Sequence, residues 1–108
     1  MRCWHLLLLA GALVAPPPSA LAAPRGAVHT VVIDGMLFVP ARLTIKAGDT
    51  VVWKNKDAFP HTATSAAGRF DSKEIATGKS WKFVARQRGA FSYLCVLHQT
   101  MKASLTVE

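Results

Sequence analysis

The segment Ala90-Phe91-Ser92-Tyr93-Leu94-Cys95-Val96-Leu97-His98-Gln99-Thr100-Met101 decides how the rest of the chain is read. Its first half alternates, with Phe91, Tyr93 and Cys95 on one side by the period of two that a pleated strand imposes. Its second half places a thiol, an imidazole and a thioether within seven residues, at Cys-x-x-His-x-x-Met spacing. Thiolate and thioether are soft ligands and imidazole is intermediate, so this set selects copper over harder divalent ions. A trigonal His₂Cys site with a weak axial Met needs a second imidazole, and His61 is the candidate.

The N-terminal residues are set aside before the fold is argued. Arg2 supplies a positive start, Leu6 to Ala15 form a short apolar run, and Ala20-Leu21-Ala22 is an A-x-A cleavage pattern. Residues 1–22 therefore read as a secretory signal and residues 23–108 as one domain. The apolar run is too short to span a bilayer and no later segment is longer, so no membrane insertion is expected after cleavage. Cys3 precedes the apolar run and does not sit at the cleavage point, which argues against lipid attachment. Removing 22 of the 108 residues leaves 86, enough for a single small domain.

Cleavage also removes Cys3, His5 and Arg2, leaving Cys95 as the one cysteine beside His29, His61 and His98. A lone cysteine in an exported protein is an intermolecular bridge, an inert buried thiol or a ligand, and the adjoining His98 and Met101 favour the ligand. Of the 13 basic residues one goes with the leader, so twelve face six acidic residues, a net charge of about +6. They are scattered, with no basic block and no nucleic-acid motif, so nucleic acid is not expected as a partner. Two readings of the charge stand: a solvated surface, or steering toward an acidic protein partner.

The remaining segments read as short strands with turns between them. Val28 to Ile33 is β-branched and ends at Asp34-Gly35; Phe38 and Pro40 mark a second extended piece and its bend. Leu43-Thr44-Ile45 stops at Ala47-Gly48-Asp49, and Thr50 to Lys54 then alternates with Val51 and Trp53 inward. The glycine turn between them makes a hairpin or a corner between sheets. Asn55 to His61 is a loop. Ser65 to Gly78 has no clean period, with Phe70 and Ile75 anchoring it. Ser80 to Ala85 alternates around Trp81 and Phe83, and Ala103 to Val107 closes the chain with Leu105 and Val107 inward. His29 reads as structural or exposed and Met36 as packing; Trp53, Trp81, Phe83, Phe91 and Tyr93 are core candidates. The pattern predicts an all-β protein, a Greek-key antiparallel β-sandwich.

Four stretches together resemble the cupredoxin family: Phe38-Val39-Pro40, Gly48-Asp49-Thr50-Val51-Val52-Trp53-Lys54-Asn55, Phe59-Pro60-His61, and Tyr93 through Met101. Two residues on each side of His98 make the loop most similar to the amicyanin branch, with plastocyanins and pseudoazurins more distant. The resemblance implies one copper ion, with His61, Cys95 and His98 as equatorial ligands and Met101 as the axial one. It also implies that Asn55 ties the two ligand-bearing loops together. Relatives usually carry Gly after Met-Lys, whereas Ala103 follows Lys102 here, so the backbone there is expected to differ slightly.

By the same resemblance the chain is a soluble periplasmic one-electron carrier and not an enzyme. Its partners would be redox proteins such as a dehydrogenase and a c-type cytochrome, and it would act as a monomer. Electrons would pass at the edge of His98, with Phe59, Pro60 and Leu97 as an apolar docking patch, Lys56 and Lys102 at its rim, and an acidic surface on the partner. A copper oxidase would need further histidines in His-x-His or His-Cys-His runs, and Cys95 is flanked by Leu94 and Val96. A binuclear copper domain would need two cysteines. The competing reading is a copper-delivery or copper-resistance module.

Overall fold

Alternation of β-branched and aromatic residues produces eight strands among the described residues: β1 Val28–Asp34, β2 Leu37–Val39, β3 Arg42–Ile45, β4 Thr50–Asn55, β5 Thr64–Ser65, β6 Ser80–Val84, β7 Gly89–Cys95 and β8 His98–Val107. The computed structural model describes residues 10–14 and 26–108. Apart from residues 10–14, the expected leader and its cleavage site lie outside the described residues. No helix among the described residues is long and apolar enough to cross a membrane.

The strands form two four-stranded sheets, ordered β2-β1-β4-β6 and β3-β8-β7-β5. The expected all-β sandwich is what the chain builds. Its sheets are mixed, however, because β1 runs parallel to β4 and β3 parallel to β8, while the other pairings are antiparallel. The physical reason is connectivity. Strands joined by a tight turn must run opposite ways, but a strand that re-enters its sheet after a crossover through the other sheet is free of that requirement.

Two turns show how backbone and side chains cooperate. In the β1–β2 hairpin Asp34 pairs with Leu37, and both intervening residues have positive φ, Gly35 at 60° and Met36 at 63°. That conformation matches the twist of a two-residue hairpin, but it is strained for methionine. The Asp57 carboxylate holds it, accepting the Gly35 N–H at 2.7 Å and the Met36 N–H at 2.9 Å. Met36 also packs against the core, as expected.

The Ala47-Gly48-Asp49 turn is the corner between sheets, not a hairpin, since β3 and β4 lie in different sheets. Gly48 takes φ 95°, open to glycine and disfavoured for other residues. Asp49 then gathers three donors: Lys46 N–H at 3.0 Å, Ala27 N–H at 2.9 Å and His29 Nε2 at 2.9 Å. His29 is thus structural, pinning β1 to the corner.

Trp53, fully buried, is the centre of the core, with Phe70, Trp81 and Tyr93 each at 5.5 Å between ring centroids. Phe70 and Ile75, the two anchors expected in the aperiodic stretch, are buried as well. Trp53 Nε1 and Tyr93 OH are buried without hydrogen-bond partners, their rings meeting edge to face at 86°. Burial pushes the Tyr93 phenol up to about 12, so it stays neutral.

The Asp49 cluster generates a pH prediction. The hydrogen bond from His29, then those from Lys46 and Ala27, hold the Asp49 carboxyl below its usual range. A carboxyl depressed on folding contributes stability that is complete above its unfolded value of about 3.9 and is lost as pH falls through the folded value. Asp49→Asn is therefore less stable than the parent at neutral pH in urea unfolding, and the difference narrows in acid below about pH 4. A difference independent of pH would show that the charge is not what matters.

Candidate metal centre

The site begins with a change of register. Along β7 and β8, Phe91 pairs with Leu105, Tyr93 with Ala103 and Leu94 with Lys102; the ladder then shifts so that Cys95 pairs with His98. Gln99, Thr100 and Met101 are left without partners as a bulge. In an unbroken ladder Cys95 would have faced Met101, and His98 would have pointed to the opposite face. The bulge brings His98 opposite Cys95 while Met101 stays in phase with inward Leu105 and is buried. Val96 and Leu97 form the intervening turn.

The second ligand segment hangs from β4. Asn55, inward and fully buried, uses its whole side chain: Nδ2 donates to Phe59 O at 2.8 Å and Ile75 O at 2.9 Å, and Oδ1 accepts Asp57 N–H at 2.9 Å. His61 continues this frame through a two-way backbone bridge with Ile75, at 3.2 and 2.7 Å. Buried backbone groups in a loop must find partners, and here they do.

His61 Nδ1 lies 3.7 Å from Cys95 Sγ, and His98 Nδ1 lies 3.9 Å from it. The three donor atoms all fall within 4.8 Å of one another. Metal–nitrogen and metal–sulfur bonds of about 2.1 and 2.3 Å meeting at roughly 120° would set nitrogen and sulfur about 3.8 Å apart. The spacing therefore fits one trigonally held ion, and the thiol, imidazole and thioether set suits copper. The thiol and the two imidazoles expected from sequence meet in one place, and Met101 is buried on β8. Ala103 sits in a regular pair with Tyr93.

His61 has its other nitrogen committed. Nε2 lies 2.9 Å from Asp57 Oδ2, and since a carboxylate only accepts, Nε2 carries the proton and Nδ1 presents its lone pair to the site. The Met36 N–H, then the Gly35 N–H and His61, hold the Asp57 carboxyl below its usual range against some desolvation. One carboxylate thus joins the strained β1–β2 turn to a ligand imidazole.

The link between the two ligand segments differs from expectation. The Asn55 side chain bonds only within its own loop and to Ile75, so it does not tie them. Thr62 does: its N–H donates to Cys95 Sγ at 3.3 Å and its Oγ1 accepts Val96 N–H at 2.9 Å. The reason is position, because Thr62 follows the ligand directly and faces Cys95 across the site, whereas Asn55 lies under the loop. Neither Thr62 nor Asp57 was singled out from sequence. Around the site Phe59, Pro60, Val96 and Leu97 are exposed, as are Lys56 and Lys102, and His98 is half-buried.

A sandwich that closes a buried cysteine sulfur between two imidazoles at one end defines the class of small copper-binding β-proteins. The Cupredoxin-like domain model matches residues 5–107, and the chain belongs to that family. It is 29% identical over 97 residues to an amicyanin from Paracoccus versutus, covering 85% of this chain and 73% of the relative. It is 31% identical over 106 residues to amicyanin-alpha from Methylorubrum extorquens (94% and 85%), and 32% identical over 91 residues to a plastocyanin from Scenedesmus fuscus (68% and 88%). Among solved structures, a Cu(I) form of an amicyanin mutant aligns with a TM-score of 0.72 at 25% identity, over 76% of this chain and 83% of that one. A purple cupredoxin from Nitrosopumilus maritimus aligns with a TM-score of 0.67 at 26% identity, over 74% and 99%.

Asp57→Ala should expose the role of that carboxylate. Leaving the Met36 N–H and His61 Nε2 without an acceptor is expected to lower unfolding stability by about 1–2 kcal/mol. Freeing the His61 ring is expected to weaken copper binding about tenfold. Guanidinium unfolding and copper competition titration read the two separately; unchanged copper affinity would show that Asp57 serves the turn alone.

Proposed function

We propose that the protein is an exported, soluble one-electron carrier for one copper ion, which His61, Cys95, His98 and Met101 would hold. The observation that carries this reading is the donor triangle, held at trigonal spacing by buried backbone and side-chain hydrogen bonds. When bound, copper supplies a one-electron couple between its two oxidation states.

The chain's own residues do the rest. Cys95 offers a thiolate that is buried and receives the Thr62 N–H, which shields it from side reactions. Asp57 keeps the His61 tautomer, and the Ile75 bridge keeps its position. A scaffold that holds its ligands so firmly has little to rearrange when the charge at its centre changes by one. His98 places a half-exposed ring at the surface between the two ligand segments, the natural point for an electron to enter or leave.

Amicyanins and plastocyanins are electron carriers rather than enzymes, and the leader over residues 1–22 would place this chain in the periplasm. Its partners would be redox proteins of the dehydrogenase and c-type cytochrome kinds. Phe59, Pro60 and Leu97, joined by Val96, form the docking patch, with Lys56 and Lys102 at its rim. A partner with an acidic rim around its own redox centre fits this surface.

Copper loading tests the reading directly. The protein is expected to show an intense blue absorption band that bleaches with ascorbate and returns on reoxidation, and Cys95→Ser is expected to abolish it. Copper bound without colour would overturn electron transfer and favour copper delivery. For docking, reversing charge at Lys56 and Lys102 together is expected to slow electron exchange with an acidic c-type cytochrome and to flatten its salt dependence. Stopped-flow rates unchanged at low salt would remove those lysines from the interface.

A further inference from the structure

Beyond the ligands lies a line of hydroxyls that the copper chemistry does not require. Thr62 Oγ1 accepts the Val96 N–H at 2.9 Å and lies 2.9 Å from Thr64 Oγ1, which in turn lies 3.2 Å from Asp71 Oδ1. The two ends dictate the order of the protons. A backbone N–H can only donate and a carboxylate can only accept, so Thr64 gives its proton to Asp71 and Thr62 gives its proton to Thr64. Every hydroxyl proton then points away from Cys95, and the Thr62 lone pair is left for the peptide that joins Cys95 to Val96.

We propose that Asp71, acting through Thr64 and Thr62, is a remote positioning residue for Cys95. Three further features hold the line in place. Thr64 pairs with Leu94 of β7 and bridges to Asp71 through the backbone. Thr62 is buried, so its hydroxyl has no bulk water to turn toward. The Lys73 N–H at 2.9 Å and the Lys73 ammonium at 3.1 Å fix the carboxylate at the outer end. Those two groups, with the Thr64 hydroxyl, also hold the Asp71 carboxyl below its usual range, so it is ionised and accepts only.

Breaking the line leaves the Thr62 O–H without its acceptor and free to rotate, so its lone pair is no longer held toward the Val96 N–H. The same residue's N–H donates to Cys95 Sγ, so loosening Thr62 changes the electron density at the sulfur. The effect on copper rests on the metal-centre reading above; the hydrogen-bond order does not.

The test compares Thr64→Val, Thr64→Ser and Asp71→Asn with the parent in two measurements: amide hydrogen exchange at Val96 in the Cu(I)-loaded protein, and the energy of the blue band in the Cu(II) form. Thr64→Val is expected to speed Val96 exchange about fivefold, the equivalent of one net hydrogen bond, and to shift the blue band. Thr64→Ser, which restores a hydroxyl, returns both toward the parent. Asp71→Asn, which keeps the shape but removes the charge, moves both in the direction of Thr64→Val. The proposal falls if Thr64→Val leaves Val96 and the band unmoved, if Asp71→Asn matches the parent, or if Thr64→Ser behaves as Thr64→Val. It falls too if the Val51 amide in the opposite sheet accelerates equally, because the change is then general loosening. A parent without a blue band would defeat the copper reading while leaving the amide comparison intact, so the two failures are distinguishable.

Discussion

The register shift opposite Cys95 is the constraint on which the site depends. A regular β7–β8 ladder can bring only one side chain of β8 against Cys95, because neighbours alternate faces. The chain needs two, the imidazole of His98 and the thioether of Met101, which lie three positions apart and so would face opposite sides. Leaving Gln99, Thr100 and Met101 unpaired resolves the parity conflict, and it does so next to a tight turn where the ladder is ending anyway. Two of the three unpaired residues, Gln99 and Thr100, are exposed, where unpaired backbone groups can be hydrated at little penalty.

The other half of the site meets the opposite difficulty. His61 sits on a loop, and its ring is fully buried, so the loop must be built as firmly as a strand. Three polar side chains supply that firmness from different directions. Asn55 fills the loop from beneath, Asp57 ties it to the β1–β2 turn, and Thr62 ties it across to the cysteine segment. Each leaves no buried polar atom of its own unmatched, which is the condition under which a buried polar network stiffens a structure instead of weakening it. The two unmatched atoms among the described residues, Trp53 Nε1 and Tyr93 OH, lie instead in the aromatic core.

Much of this was legible in the sequence because it follows from period and composition. Alternation around Trp53, Trp81 and Tyr93 marked strands, Gly48 marked a turn, and soft donors at fixed spacing marked copper. What escaped was whatever depends on distance across the fold. Asn55, next to the loop in sequence, was an obvious tie between ligand segments, yet the tie is Thr62, because the pairing of Cys95 with His98 carries the Val96 amide to the Thr62 hydroxyl. Asp57 gave no signal, since one of its partners is a turn more than twenty residues earlier. The parallel pairings of β1 with β4 and β3 with β8 were equally hidden, for the direction of a strand after a crossover leaves no trace in its alternation.

The two imidazoles are held in different ways, and that difference organises the site. His61 is shut away, with one nitrogen committed to Asp57 and its backbone bonded on both sides to Ile75. His98 stands on a hairpin that ends the sheet, half-exposed, with apolar Val96 and Leu97 beside it. If both were buried, the centre would be sealed from the surface; if both were exposed, the donor spacing would drift with the loops that carry them. The rigid side therefore preserves geometry while the open side gives access. The division follows from placing one ligand in a loop stitched to the core and the other beside a turn, which a sandwich of this kind provides at a single end.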